Sequence, residues 1–73
     1  MTISEKLAKL EELLETEEGA LTKDTLLEEL DTWDSMSRLS LMVLMQEEFG
    51  VNLSGVQINK FIRIQDILNV MEN

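Results

Sequence analysis

Residues 33–50 read WDSMSRLSLMVLMQEEFG, and their periodicity decides the fold class. No proline or glycine interrupts the run before Gly50, so it predicts a helix from about Ser35 to Phe49, with Gly50 as its stop. At roughly 100° per residue, Leu41, Met45 and Phe49 fall on one side with Met42 at its flank. Met36, Leu39, Ser40, Val43 and Glu47 gather on the opposite side. One apolar face can enter the core of a small domain; the second must meet another part of the domain, a bound group or a partner. Arg38 lies on the core-facing side of the first turn and is expected to reach past the end of the bundle.

Two readings of the helix start remain open. If Asp34 is the N-cap, its carboxylate accepts from the orphan amides of the first turn and leaves the Ser35 hydroxyl free to point outward. If Ser35 is the N-cap, that hydroxyl is occupied.

Upstream, Ile3, Leu7, Leu10 and Leu14 recur at helical spacing, with Leu13 widening the stripe and Glu5, Lys9, Glu11 and Glu12 outside it. Thr2 and Glu5 have capping-box spacing, and the helix is expected to stop near Glu15. Residues 16–33 are polar and acidic, yet Leu21, Leu26, Leu27, Leu30 and Trp33 are spread through them, so the segment reads as a loop packed against the domain. A helical turn is expected within residues 25–30, and Trp33 is read as a hydrophobic anchor for the loop. Downstream, Ser54 and Gln57 have capping-box spacing and open a short helix through Ile58 and Phe61. Ile64, Ile67, Leu68 and Met71 form a last stripe. The expected fold is an all-α, small four-helix bundle of three longer helices and one short, with a long first loop, occupying residues 1–73 as a single domain.

Composition removes several function classes. Seventy-three residues leave little room for an enzymatic cleft. Six basic against fifteen acidic residues give a formal charge of −9, which opposes binding to nucleic acid or an anionic membrane and favours basic patches on other proteins. Without cysteine or histidine there is neither a disulfide, a thiolate metal site nor a Ser-His pair. Ser35 lacks the glycines of a nucleophile elbow, and no lysine lies near it in sequence. An EF-hand loop begun at Asp31 would place Met36 where glycine is needed and Met42 where a bidentate glutamate is needed. Glu17-Glu18 and Glu28-Glu29 read as solvated charges, so no metal site is expected. With no signal-peptide pattern and no membrane-spanning run, the expected setting is cytoplasmic, without stable membrane insertion.

A serine that cannot easily be a catalyst, at the start of a two-faced helix, reads as an attachment point. Asp34-Ser35-Met36, followed at the helix end by Glu47-Glu48-Phe49-Gly50-Val51, resembles the acyl carrier protein family, and the likeness extends through residues 53–58 and Ile64-Gln65-Asp66-Ile67. The resemblance implies that Ser35 carries 4′-phosphopantetheine, donated by coenzyme A through a phosphopantetheinyl transferase, with Asp34 as part of the motif. It implies a carrier rather than an enzyme, whose arm holds acyl groups as thioesters. The matching partner-binding positions are Met36, Leu39, Ser40, Val43 and Glu47, read by acyl-loading ligases, synthases or transferases with basic docking patches. A monomer is expected.

The departures carry information too. Ser37 and Ser40 stand where fatty-acid-synthesis carriers are often acidic, and Arg38 adds a positive charge between them, which points to a specialised lipid or polyketide-type pathway. Met36 is shared with D-alanyl carriers, so an aminoacyl carrier is one alternative. A non-enzymatic acidic helical interaction module is the other.

Overall fold

The computed structural model describes residues 2–71. Among them are four helices, α1 (Ile3–Leu13), α2 (Ser35–Phe49), α3 (Gly55–Asn59) and α4 (Ile64–Val70), and a single 3-10 turn at Leu27–Glu29. No strand forms in the described residues; Leu26 and Arg63 make only an isolated antiparallel bridge. The fold is small and all-α. Its radius of gyration is 11.0 Å, matching the value of about 11 Å expected for a compact chain of this length.

Local chemistry sets the helix ends. Thr2 accepts from the Glu5 amide while the Glu5 carboxylate accepts from the Thr2 amide, at 3.2 and 2.9 Å, closing the capping box that starts α1. At its other end Leu14 is the C-cap and Glu15 takes a left-handed conformation with φ of 55°. Glu15 N–H then donates to the Glu12 carbonyl and Thr16 N–H to the Glu11 carbonyl, the paired bonds of a Schellman ending. Glycine usually occupies that place, because a side chain there crowds the following carbonyl; here glutamate takes it. Gly50, with φ of 65°, stops α2 without that penalty.

Leu10, Leu14, Leu41, Met45, Ile64, Ile67 and Met71 are completely buried, and Leu21, Leu27, Leu53, Ile58 and Leu68 complete the core. The inner face of α2 is therefore the Leu41 and Met45 side. Phe49, read from the sequence onto the same face, is only half-buried at its edge. Ile3 departs from its stripe and is exposed, because α1 reaches the core only from Leu7 onward.

Two further expectations need correction. Helix α4 runs for only seven residues, so there are two longer helices and two short ones rather than three and one. Met71 stays buried although it has left helical geometry. Helices this short are not stable alone and are held by packing. Glu11, placed outside the apolar stripe, is buried with 7% of its surface accessible. Its carboxylate accepts from the amides of Gly19 and Leu21 at 2.9 and 3.1 Å, so the loop itself supplies the bonds that make the burial tolerable.

The long loop is pinned by backbone bonds as well as by its leucines. Leu27 N–H donates to the Ile62 carbonyl, Ile64 N–H to the Thr25 carbonyl and Gln65 N–H to the Lys23 carbonyl. The Asp66 carboxylate accepts from the amides of Ile62 and Arg63 at 2.8 and 3.0 Å, which fixes the turn into α4. These bonds hold the α3–α4 connection against the loop, and that in turn places α3 beside the start of α2. No helix among the described residues is long and apolar enough to cross a membrane.

Candidate functional site

Asp34 is the N-cap of α2, in extended backbone geometry, and its carboxylate accepts from the Ser37 amide at 3.0 Å. Ser37 answers: its hydroxyl accepts from the Asp34 amide at 2.8 Å and donates to the Asp34 carbonyl at 3.0 Å. Serine thus fills the place that glutamate or glutamine usually takes in a capping box. Ser37 is accordingly buried, with 8% of its surface accessible, and plays a structural part in opening the helix.

The consequence falls on Ser35. It is the first helical residue, it is exposed, and the capping bonds at this end of α2 join Asp34 and Ser37 and leave its hydroxyl out. Of the two readings of the helix start, the structure takes the one with Asp34 as cap. An anion on the Ser35 oxygen would lie beside the amides of the first turn, at the positive end of the longest helix in the fold.

The hydrogen bond from the Ser37 amide holds the Asp34 carboxyl below the usual carboxylate range. A group with a depressed folded-state value contributes stability above its unfolded value and loses it as pH falls through the folded one. In Asp34→Asn the cap's hydrogen-bonding is largely kept but its titration is lost. The melting difference between wild type and Asp34→Asn should therefore be constant near neutrality and change only below about pH 4, in the direction that disfavours the wild type. A difference that does not vary down to the acid limit would count against the capping role of the charge.

The residues read as a partner face are all exposed, with accessible fractions of 73% for Met36, 57% for Leu39 and 49% for Val43, and with Ser40 and Glu47 also at the surface. They do not form one concavity. Ser35 and Leu39 open onto a cleft of about 240 Å³ between α2 and α3, completed by Arg38, Met42, Gly55, Ile58 and Asn59. Met36 and Ser40 turn the other way, toward a hollow they share with Leu13, Glu15, Asp31 and Asp34. Ser35 therefore sits on the border between the α3 cleft and the outer face.

Arg38 reaches back to Trp33, which precedes the first residue of α2. It is half-buried, with its guanidinium carbon 5.5 Å from the centroid of the Trp33 ring, a cation–π arrangement. The two side chains also line a second cavity, of about 440 Å³, with Leu27, Leu30, Ile58 and Phe61. Trp33 packs against the core as the loop anchor it was read to be. The α3 side of the cleft had no signal in the sequence, because Gly55, Ile58 and Asn59 meet Ser35 only through the tertiary fold. The Ser54 and Gln57 capping box, present at 2.9 and 3.2 Å, was the one local clue that a helix starts there.

Comparison with protein-family models, with curated proteins and with solved structures returns no match to this chain.

Proposed function

We propose that this chain is a single carrier domain with an acyl-carrier-like four-helix bundle, and that Ser35 is the attachment point of 4′-phosphopantetheine. The observation that carries the reading is the exposed Ser35 hydroxyl at the start of α2, left out of the capping bonds that occupy Asp34 and Ser37. The residues around it fit such a group. The first-turn amides favour the anionic linkage, and the adjoining cleft offers Leu39, Met42 and Ile58 as apolar surface. When bound, the arm supplies a terminal thiol able to hold acyl groups as thioesters, a function no side chain of this cysteine-free chain can provide.

The protein's own residues bind and present. Asp34 and Ser37 fix the helix start and so the direction in which Ser35 projects. Met36, Leu39 and Val43 give a docking enzyme apolar contact area, while Glu47 and Asp34 favour a basic patch on it. Phosphopantetheinyl transferase would be the first such partner and acyl-loading enzymes the next. Serine rather than acid at the exposed position 40, with Arg38 two residues before it, supports a specialised pathway.

Incubation with coenzyme A and a broad-specificity transferase is expected to add the mass of one arm to the intact chain. An unchanged mass, under conditions that modify a control carrier, would refute the proposal. The outer face has its own test. Val43→Glu, at a half-exposed position, should leave melting within about 0.5 kcal/mol of wild type while slowing modification and loading at least tenfold. Unchanged rates with every cognate enzyme would remove Val43 from the docking surface.

A further inference from the structure

Arg38 stands apart from the other cations of the chain. Its Nε is buried without a hydrogen-bond partner among the described residues, although the side chain is held over the Trp33 ring. An unpaired buried donor is costly, and a guanidinium matches the oxygens of a phosphate in a two-pronged geometry that lysine cannot reproduce. Arg38 is three residues beyond Ser35 on α2, so the two are neighbours on the helix surface, and both line the same cleft. Among the described residues, no acidic side chain lines that cleft. The nearest acid along the chain, Asp34, has its carboxylate turned to the Ser37 amide, and Glu28 lies in the adjoining cavity.

From this placement, and resting on the carrier reading above, we infer that Arg38 is a positioning residue that pairs with the phosphodiester on Ser35 and directs the arm over the α2–α3 cleft. The linkage brings a negative charge to a strongly acidic molecule beside the Asp34 carboxylate. Arg38 offsets it from the cleft side through its guanidinium. Trp33 holds the guanidinium ready for that pairing before the group arrives.

The test compares isotope-labelled protein before and after modification, with one arm per chain confirmed by intact mass. The expected result is a shift of the Arg38 Nε–Hε resonance and of Trp33 fluorescence on modification. The phosphorus resonance of the modified protein should also move in Arg38→Gln and return part of the way in Arg38→Lys, with the wild-type difference shrinking at high salt. An Arg38 resonance that stays in place on fully modified wild type overturns the inference and leaves the carrier reading standing, whether or not the variants fold. A phosphorus resonance identical in wild type and folded Arg38→Gln does the same. Failure to gain the arm's mass overturns both.

Discussion

Ser35→Ala is expected to abolish attachment of the arm completely while leaving the fold unchanged. The hydroxyl makes none of the capping bonds, which belong to Asp34 and Ser37, and the side chain is exposed. Alanine at the first helical position also has the best helix propensity, so the substitution should shift stability by no more than about 0.5 kcal/mol in either direction. Under the proposed carrier function the effect is all-or-none, because a covalent attachment has no partial substitute. Circular dichroism and melting that match wild type, with no mass gain on transferase treatment and no loading afterwards, is the expected set of results. The same variant separates the carrier from an acidic interaction module: a module that only docks a partner through Met36, Leu39 and Val43 keeps its binding and its biological role when Ser35 is alanine. Modification persisting in Ser35→Ala would move the attachment point elsewhere, and retained function in a folded, unmodified variant would favour the module.

What the sequence made legible was what its neighbours along the chain determine. The Thr2 to Glu5 and Ser54 to Gln57 boxes and the Gly50 stop are each settled within one helical turn and found where spacing places them, while the cap of α2, open between Asp34 and Ser35 in the sequence, is Asp34. The two faces of α2 were legible for the same reason. The end of α1 was less so, since the left-handed residue is Glu15 and carries none of the glycine signal. Ser37 was hidden in a similar way: it does the work of a glutamate in a capping box but is read as a missing acid. Glu11 looked solvated because its two partners, the amides of Gly19 and Leu21, come from a loop whose path depends on the whole fold. At the site, the exposure of Ser35 followed from the choice of cap, whereas the cleft needed α3 beside α2. That position depends on backbone bonds between residues 23–27 and 62–65, which no local pattern reports.

Leu41→Ala should be among the most destabilising single changes in the protein, with a loss of about 2–5 kcal/mol. Leu41 is completely inaccessible and lies on the inner face of α2 beside the equally buried Met45. Removing its branched end costs both the transfer free energy of the lost methyl groups and the cavity left among rigid neighbours. For a domain of this size total stability is roughly 4–11 kcal/mol, so the substitution takes away a large share of it. The corresponding fall in melting temperature is roughly 8–40 °C. Phe49→Ala, although it deletes a larger side chain, should cost less than Leu41→Ala because the ring is only half-buried. Met45→Leu, which keeps volume at a fully buried site, should stay under about 1.5 kcal/mol. The order Leu41→Ala, then Phe49→Ala, then Met45→Leu therefore tests which side of α2 faces the core. If Leu41→Ala melted like wild type while Val43→Ala unfolded the domain, the helix would be turned by nearly half a revolution, and Met36, Leu39 and Val43 would be core rather than docking surface.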